Sequence, residues 1–338
     1  MNPTHDARTG SDWLQMPKVL LHEHLDGGLR PQTLLELCRA RGLAAPAEDA
    51  PALAAWVQAN ANSGSLGRYL AGFALTVEAM GSLAACERVA FEAAEDARED
   101  GCVLAEFRIA PLLLEAFGLH GEAVVEALLA GLQRSALPCG LIVCAMRSDA
   151  PDKTLRSARL AARYAQAGVI GFDLAGAELG HPPADHAAAF AAARDAGLGL
   201  TCHAGEADVG ARVLEAAALG ATRIGHGIHI VGDARETQRA REMGLHFEVC
   251  PSSNVHTGAA TSLAAHPVRA MLAAGLALSV STDNRLMSGV SPSSEWQAMH
   301  DMLGLSLGQL RQMNRAAAAA SFMPEAVRAA ALQAIGPA

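Results

Sequence analysis

Two histidines stand two residues apart where a short apolar run ends near the beginning of the sequence. Residues 18–21 are followed by His22, Glu23, His24 and Asp26 in the segment KVLLHEHLDG. In a β-strand, residues two apart point to the same side, so the imidazoles of His22 and His24 would project together. A lone histidine at a strand end is more often an ordinary hydrogen-bonding residue, whereas a pair on one side could hold a metal.

Other apolar runs in the sequence also end in polar residues. The segment HAGE contains His203 and Glu206, RIGHGIH contains His226, and STDN contains Asp283 and Asn284. Three neutral imidazoles and one carboxylate are suitable ligands for a divalent ion such as zinc. We therefore predict one Zn2+ per chain, held by His22, His24, His203 and Asp283.

A metal in such a site activates water for attack on a substrate, lowering the pKa of the water from ~15.7 toward ~7. His226 would then be free to act as a base or as an electrostatic partner for that water, and Glu206 could present a proton. Asp283 could both bind the metal and orient the water. The histidines predicted to lie in loops or on the surface, without a role in the site, are His229, His246, His256 and His266.

The lysine content favours one metal over two. Barrel hydrolases with two metals often bridge them with a carbamylated lysine at the end of the fourth strand. Lys18 and Lys153 are the lysines among the 26 Lys and Arg residues, and neither can occupy that position. The zinc deaminases that combine H-x-E with P-C-x-x-C are also excluded, because the second motif is absent.

Short apolar runs alternate with alanine-rich helical stretches, a pattern typical of βα units with a parallel sheet. Helices are predicted between the strands at 119–136, 153–167, 184–196, 209–219, 233–243 and 264–274. The predicted strands cover residues 18–21, 102–109, 140–146, 169–174, 198–203, 222–226, 245–250 and 276–282.

Eight such units predict an α/β fold of the TIM (β/α)8 barrel type, in which the active site lies at the C-terminal ends of the strands. A doubly wound open sheet is the alternative, but no phosphate-binding glycine motif follows a strand. We expect a single domain over residues 1–338. Within it, residues 43–100 form a helical insertion near the barrel mouth, and the tail from residue 306 forms closing helices.

Composition excludes several classes of partner. The formal net charge of −9 and the aromatic content of 4%, without a basic cluster, argue against nucleic acid or an anionic membrane. Seven scattered cysteines form no complete disulfide framework, and the first 17 residues lack the apolar core of a signal peptide. We therefore expect a cytoplasmic protein that acts on a small molecule; the sequence leaves its oligomeric state open.

Taken in order, six segments resemble the adenosine deaminases of the amidohydrolase superfamily: HEHLDGG, GFDLAGAE, HAGEAD, RIGHGIH, CPSSNVHTGA and STDN. The resemblance extends from about Lys18 to about Met323. It implies zinc-dependent hydrolysis of adenosine and 2′-deoxyadenosine at purine C6, which yields inosine (or 2′-deoxyinosine) and ammonia in purine salvage.

The resemblance also implies a role for each site residue. Glu206 would protonate purine N1, while His226 would deprotonate or orient the water. Gly176 would bind purine N3 through its backbone, and Asp26, alongside His24, would accept hydrogen bonds from the ribose hydroxyls. The zinc ligands implied are again His22, His24, His203 and Asp283.

Two residues bear on the choice of substrate. Family members that act on adenine or aminodeoxyfutalosine tend to have HLEG where this chain has HLDG, so Asp26 favours a nucleoside; alternatively, Asp26 caps a turn before Gly27. Many relatives have a second Asp where this chain has Asn284. Because an amide always donates, Asn284 could still bind purine N7, with an altered pH dependence and substrate preference.

Other functions remain open at this stage. A deaminase of the same fold could act on adenine, aminodeoxyfutalosine or another modified adenosine. Cytosine, guanine and AMP are less favoured as substrates, because of the LAG-x-E and GHG segments for the first two and the lack of a basic cluster for the third. A catalytically silent nucleoside-binding protein would be expected to lack a ligand or Glu206, and this chain has them all.

Overall fold

Eight parallel strands form the centre of the computed structural model, which describes residues 10–337. Each strand pairs with the next along the chain, and β8 returns to β1 through hydrogen bonds between His24 N and Asp283 O (2.7 Å) and between Asp283 N and His22 O (3.0 Å). The strands are β1 Lys18–His24, β2 Cys102–Ile109, β3 Cys139–Met146, β4 Val169–Ala175, β5 Gly199–Ala204, β6 Arg223–His226, β7 His246–Val249 and β8 Ala277–Val280. The predicted (β/α)8 barrel is confirmed.

Helices connect and cover these strands. They are α1 Gly10–Leu14, α2 Pro31–Arg41, α3 Ala50–Ala61, α4 Leu66–Ala71, α5 Phe73–Ala79, α6 Leu83–Glu99, α7 Gly121–Gln133, α8 Pro151–Arg163, α9 Ala187–Asp195, α10 Ala211–Ala218, α11 Ala234–Glu242, α12 Pro251–His256, α13 Val268–Ala273, α14 Arg285–Ser288, α15 Pro292–Asp301, α16 Leu307–Ala320 and α17 Glu325–Ile335. The segment 43–100 contains α3 to α6. The expectation of no signal peptide falls partly on residues 1–9, which lie outside the described residues.

The sequence placed the strands well and missed several short helices. β1 is longer than predicted, because it continues through His24 and so carries both histidines on the strand itself. The short helices α12 and α14, which directly follow β7 and the loop after β8, were not predicted. Both bring polar residues to the C-terminal ends of the strands, and an apolar periodicity cannot reveal helices of so few residues.

The chain after α16 closes the N-terminal end of the barrel. Gly199, at the start of β5, leaves space for Phe322, because a Cβ atom there would lie 2.2 Å from the ring. The same ring stacks on the guanidinium of Arg223 at 3.8 Å, and the Phe322 N–H donates to Glu106 at 2.6 Å. Phe322, which lies between the two predicted closing helices α16 and α17, therefore fills this end of the barrel.

A membrane-spanning segment is not evident in the described part of the chain. No individual helix combines the length and apolar character needed to cross a bilayer. One pair of helical segments, Leu66–Ala79 and Leu83–Glu99, meets the criteria jointly but is bent by 117°.

Two of the histidines expected in loops or on the surface are buried. The prediction was wrong for His246, which lies in a strand, whereas His266 lies in a loop between α12 and α13, as expected. His246 begins β7 at 4% exposure and pairs through Nε2 with Ser279 Oγ at 2.9 Å; His266 is 3% exposed. Burial, with a smaller contribution from the nearby cation of Arg223, lowers the pKa of His246 to about 3. His246 is therefore neutral in the folded protein at pH values where an exposed histidine is charged.

We expect the free energy of unfolding to fall as the pH drops from 7 to 5. The unfolded chain takes up a proton at His246 near pH 6.5, whereas the folded protein does not, so protonation favours unfolding by about 2 kcal/mol at pH 5. Urea unfolding at both pH values measures the effect. His246→Gln, which keeps a donor at the Nε2 position without titrating, should lose about 2 kcal/mol less than the wild type; equal losses would contradict the assignment.

Candidate active site

The predicted ligands meet at one point at the C-terminal end of the barrel. His22 and His24 come from β1, His203 from β5, and Asp283 from the residues directly after β8. One donor atom from each of the four residues lies within 4.8 Å of the others. Asp283 Oδ1 is 3.2 Å from His22 Nε2 and 3.5 Å from His24 Nε2. The structure thus brings together all four residues that the sequence selected.

Buried carboxylates orient two of these imidazoles. His22 Nδ1 pairs with Glu248 Oε2 at 2.8 Å, and His203 Nδ1 pairs with Asp173 Oδ2 at 3.1 Å. A carboxylate accepts the ring N–H, so each imidazole presents an unprotonated Nε2 toward the other ligands. The roles of Glu248 and Asp173 were not predicted, although an acidic residue inside an apolar parallel strand is itself a sign of a buried polar site.

Arg108 joins the two carboxylates. Its guanidinium donates to Asp173 Oδ2 at 2.9 Å and to Glu248 Oε2 at 2.7 Å, and all three side chains are fully buried. Burial alone would raise the pKa of Glu248, but the cations of Arg108 and Arg223 hold it well below its usual range. Both carboxylates are therefore ionised, and both can orient a neutral imidazole.

Two features of the ligand cluster fit a metal ion. Among residues 10–337, the buried Nε2 of His22 has no hydrogen-bond partner. His24 Nε2 and His203 Nε2 lie 3.2 Å apart, and because Asp173 fixes the proton of His203 on Nδ1, a lone pair faces His24. A cation between these nitrogens and Asp283 would accept the lone pair of each ligand atom. The set of three nitrogens and one oxygen suits zinc.

Glu206 follows β5 on a loop that a second glutamate holds. Glu178, which is 3% exposed, accepts backbone N–H bonds from four consecutive residues at 2.5–3.1 Å. Those residues are Gly205, Glu206, Ala207 and Asp208. The loop therefore takes a fixed shape that presents the Glu206 side chain to the ligand cluster. Glu178 ends the segment GFDLAGAE, and its role could not be predicted from the sequence.

The Glu206 carboxyl is buried beside other acidic groups. Burial, together with the negative charges of Asp283 and Glu178, raises the pKa of Glu206 to about 7. Thr257 Oγ1 donates to Oε1 at 3.0 Å, and Oε2 lies 3.6 Å from His226 Nε2. A carboxyl with this pKa carries an available proton near neutral pH, as a general acid requires.

A cavity of about 470 Å³ opens over the ligand cluster. His24, His203, Glu206, His226 and Asp283 line its polar floor. The insertion supplies an apolar wall from α4 and α5, and this wall includes Leu66, Leu70, Phe73 and Val77. The insertion therefore contributes directly to the surface that a ligand would contact.

The three remaining predicted residues, Asp26, Gly176 and Asn284, also line this cavity. Asp26 Oδ1 and Asn284 Oδ1 are buried atoms without a hydrogen-bond partner among the described residues. Gly27 makes room for Asn284, because a Cβ atom on Gly27 would lie 1.9 Å from Asn284 Oδ1. Burial, with the charge of Asp283, raises the pKa of Asp26 to about 7. Gly176 has a φ of +93°, which favours glycine.

Two of the candidate catalytic residues have a left-handed backbone. His226 and Asp283 both have φ near 60°, and they are the non-glycine residues with positive φ in the described part of the chain. This conformation turns each side chain from the end of its strand toward the cavity. Backbone conformations of this kind are concentrated at functional sites.

Removing one ligand should abolish tight metal binding. Zinc added to the metal-free protein should raise the melting temperature, because a free concentration 1,000-fold above Kd stabilises the folded state by about 4.1 kcal/mol. Asp283→Ala and His203→Ala should lose most of this shift, and His229→Ala, which changes an exposed histidine, should keep it. Calorimetric unfolding with and without zinc gives the shift. A full shift in Asp283→Ala would refute the ligand set.

Comparisons with known proteins agree with this geometry. The family model described as adenosine deaminase matches residues 17–337. The adenosine deaminase of Mycobacterium tuberculosis is 41% identical over 330 residues, which cover 91% of this chain and 90% of the relative.

Solved structures show the same architecture. The adenine deaminase of Arthrobacter aurescens has a TM-score of 0.85 and 26% identity over 95% of this chain and 98% of its own. An amidohydrolase from Burkholderia ambifaria with bound Zn has a TM-score of 0.86 and 25% identity over 97% of this chain and 92% of its own. By its family model, its relatives and its fold, the chain belongs to the adenosine deaminase family.

Proposed function

We propose that the protein is a zinc-dependent adenosine deaminase that converts adenosine, and 2′-deoxyadenosine, to inosine (or 2′-deoxyinosine) and ammonia. One observation carries the proposal: a three-histidine, one-aspartate cluster and a buried glutamate of raised pKa line the same cavity. The mycobacterial relatives support the choice of substrate, and the zinc-containing Burkholderia ambifaria structure supports the choice of metal.

Glu206 is the residue to which we assign proton donation. Its pKa of about 7 leaves a large fraction of the carboxyl protonated at neutral pH, and the carboxyl faces the cavity. Donation to purine N1 would draw electron density from C6 and make that carbon more open to attack. The water oxygen then forms a bond to C6, one water proton passes to N6, and the C6–N6 bond breaks so that N6 leaves as ammonia. The second water proton replaces the one that Glu206 gave to N1.

Two residues at the ends of β6 and β8, His226 and Asp283, would face the attacking water. The bound ion would supply Lewis-acid activation of that water. Asp283 turns Oδ1 toward the ligand histidines, while its Oδ2 accepts a hydrogen bond from Ser253 Oγ at 2.5 Å. A carboxylate held at both oxygens can bind the metal and orient the water. His226 faces the same part of the cavity and either orients or deprotonates the water.

Three residues are suited to recognise the nucleoside. Asn284 can donate its amide N–H to purine N7 without having to be protonated, and Gly176 exposes its backbone to the ring. Asp26 has an unpartnered buried oxygen that can bond the ribose hydroxyls. Among the described residues that line the cavity there is no lysine or arginine, so a 5′-phosphate would lack a counter-charge.

The alternative is a related aminopurine deaminase that acts on adenine, aminodeoxyfutalosine or a modified adenosine. The Arthrobacter aurescens structure favours adenine as the first of these to test. Our proposal extends to the context of the reaction. The whole chain would act as one deaminase domain with residues 43–100 over the barrel mouth, in cytoplasmic purine salvage.

Adenosine should be turned over faster than AMP, adenine or aminodeoxyfutalosine. We expect adenosine and 2′-deoxyadenosine to lose ultraviolet absorbance at 265 nm, an assay wavelength, when the zinc-loaded protein is added. AMP should react poorly because its phosphate finds no cation, and adenine because the contacts of Asp26 are unused. A chelator-treated sample is the control. Faster turnover of adenine or aminodeoxyfutalosine than of adenosine would replace the proposed substrate.

Glu206→Gln should retain zinc and lose most turnover. The amide keeps the shape of the side chain but has no acidic proton to give, so we expect kcat to fall by about 10²–10⁴-fold. Glu242→Gln, a change on the surface at the end of α11, serves as the matched control. Metal content and kcat are measured on both variants. An unchanged kcat in Glu206→Gln would rule out its role as proton donor.

A further inference from the structure

His226 faces the cavity through a ring whose proton position decides what it can do. A neutral imidazole carries its proton on one nitrogen, and the other nitrogen is then an acceptor. If Nε2 is bare, His226 can take a proton from water; if Nε2 carries the proton, His226 can only donate a hydrogen bond. The surrounding hydrogen bonds determine which form is present.

The chain of bonds begins at a helix terminus. Val268 is the first residue of α13, so its N–H has no partner within the helix. That N–H donates to His266 Nδ1 at 3.2 Å. Because Nδ1 of His266 accepts a hydrogen bond, the ring proton of His266 lies on Nε2. His266 is 3% exposed, and the reaction described above does not use it.

The next bond fixes the orientation of an amide. His266 Nε2 lies 3.1 Å from Asn254 Oδ1, and the N–H of the ring donates to that oxygen. The amide of Asn254 therefore turns its Nδ2 the other way, where it lies 3.0 Å from His226 Nδ1. Asn254 is fully buried, which limits rearrangement of the amide. An amide N–H2 can only donate, so Nδ1 of His226 is an acceptor and carries no proton.

We propose that His266 is a positioning residue that fixes the proton of His226 on Nε2 through Asn254. His226 then donates a hydrogen bond into the cavity and is not the base, and removal of the water proton passes to the carboxylate of Asp283. This resolves the two roles that the sequence left open for His226. Its kinetic consequence rests on the proposed deaminase function, whereas the position of the proton does not.

Nuclear magnetic resonance of the metal-free protein tests the proton position directly. Long-range 1H–15N spectra distinguish the two neutral forms of a histidine, and His226→Gln identifies the signal. We expect the Nε2–H form in the wild type. In Asn254→Asp a carboxylate replaces the donor facing Nδ1, so the proton should move to Nδ1. An Nδ1–H form in the wild type, or no change in Asn254→Asp, would overturn the proposal.

Kinetics on the zinc-loaded protein test the consequence. His266→Leu removes the donor to Asn254, and His266→Gln keeps an N–H near the position of Nε2. We expect kcat to fall about 10-fold in His266→Leu and to be largely restored in His266→Gln, with KM changed less than about twofold in both. Equal kcat values in the two variants would show that the hydrogen bond does not matter.

The two experiments can fail independently, so they distinguish a failure of this inference from a failure of the proposed function. Activity of the wild type on adenosine with the wrong form of His226 would overturn the inference and leave the function intact. The predicted form in a protein inactive on adenosine would overturn the function alone. If His266→Leu does not fold, Asn254→Asp in the metal-free protein still decides the position of the proton.

Discussion

A metal site made of histidines requires unprotonated nitrogens that point to one place, and here buried carboxylates orient the imidazoles so that this requirement is met. Glu248 and Asp173 hold the far sides of His22 and His203, and Arg108 bonds to both carboxylates. Two anions within a barrel would be costly to bury alone, but paired with arginine they become a rigid support. The ligands are thereby oriented by the protein fold itself.

The same principle extends outward from the ligands. Glu178 collects four backbone N–H groups of the loop that carries Glu206, so a single carboxylate sets the path of that loop. The insertion contributes as well, because the Tyr69 hydroxyl on α4 lies 3.1 Å from Ser288 Oγ on α14. The polar floor of the cavity is thus built from rigid strand ends, and its apolar wall comes from helices far away in sequence.

The sequence revealed the parts of the site that lie at the ends of recognisable strands. His22, His24, His203 and Asp283 could be found because apolar runs end beside them, and the barrel brings such ends together. The groups that orient them could not be paired from sequence, since the partners of Arg108 are 65 and 140 residues away. The contact of His266 could not be found for a related reason: its partner Asn254 lies on a short helix without a periodic signal.

The left-handed backbone of His226 and Asp283 has an evolutionary consequence. An L-residue with a Cβ atom in this conformation costs about 1–2 kcal/mol relative to its preferred conformations, and glycine does not incur that cost. Selection for stability alone would therefore favour glycine at both positions, and selection for chemistry opposes it. The protein is therefore kept below its greatest attainable stability by two residues that line its active-site cavity.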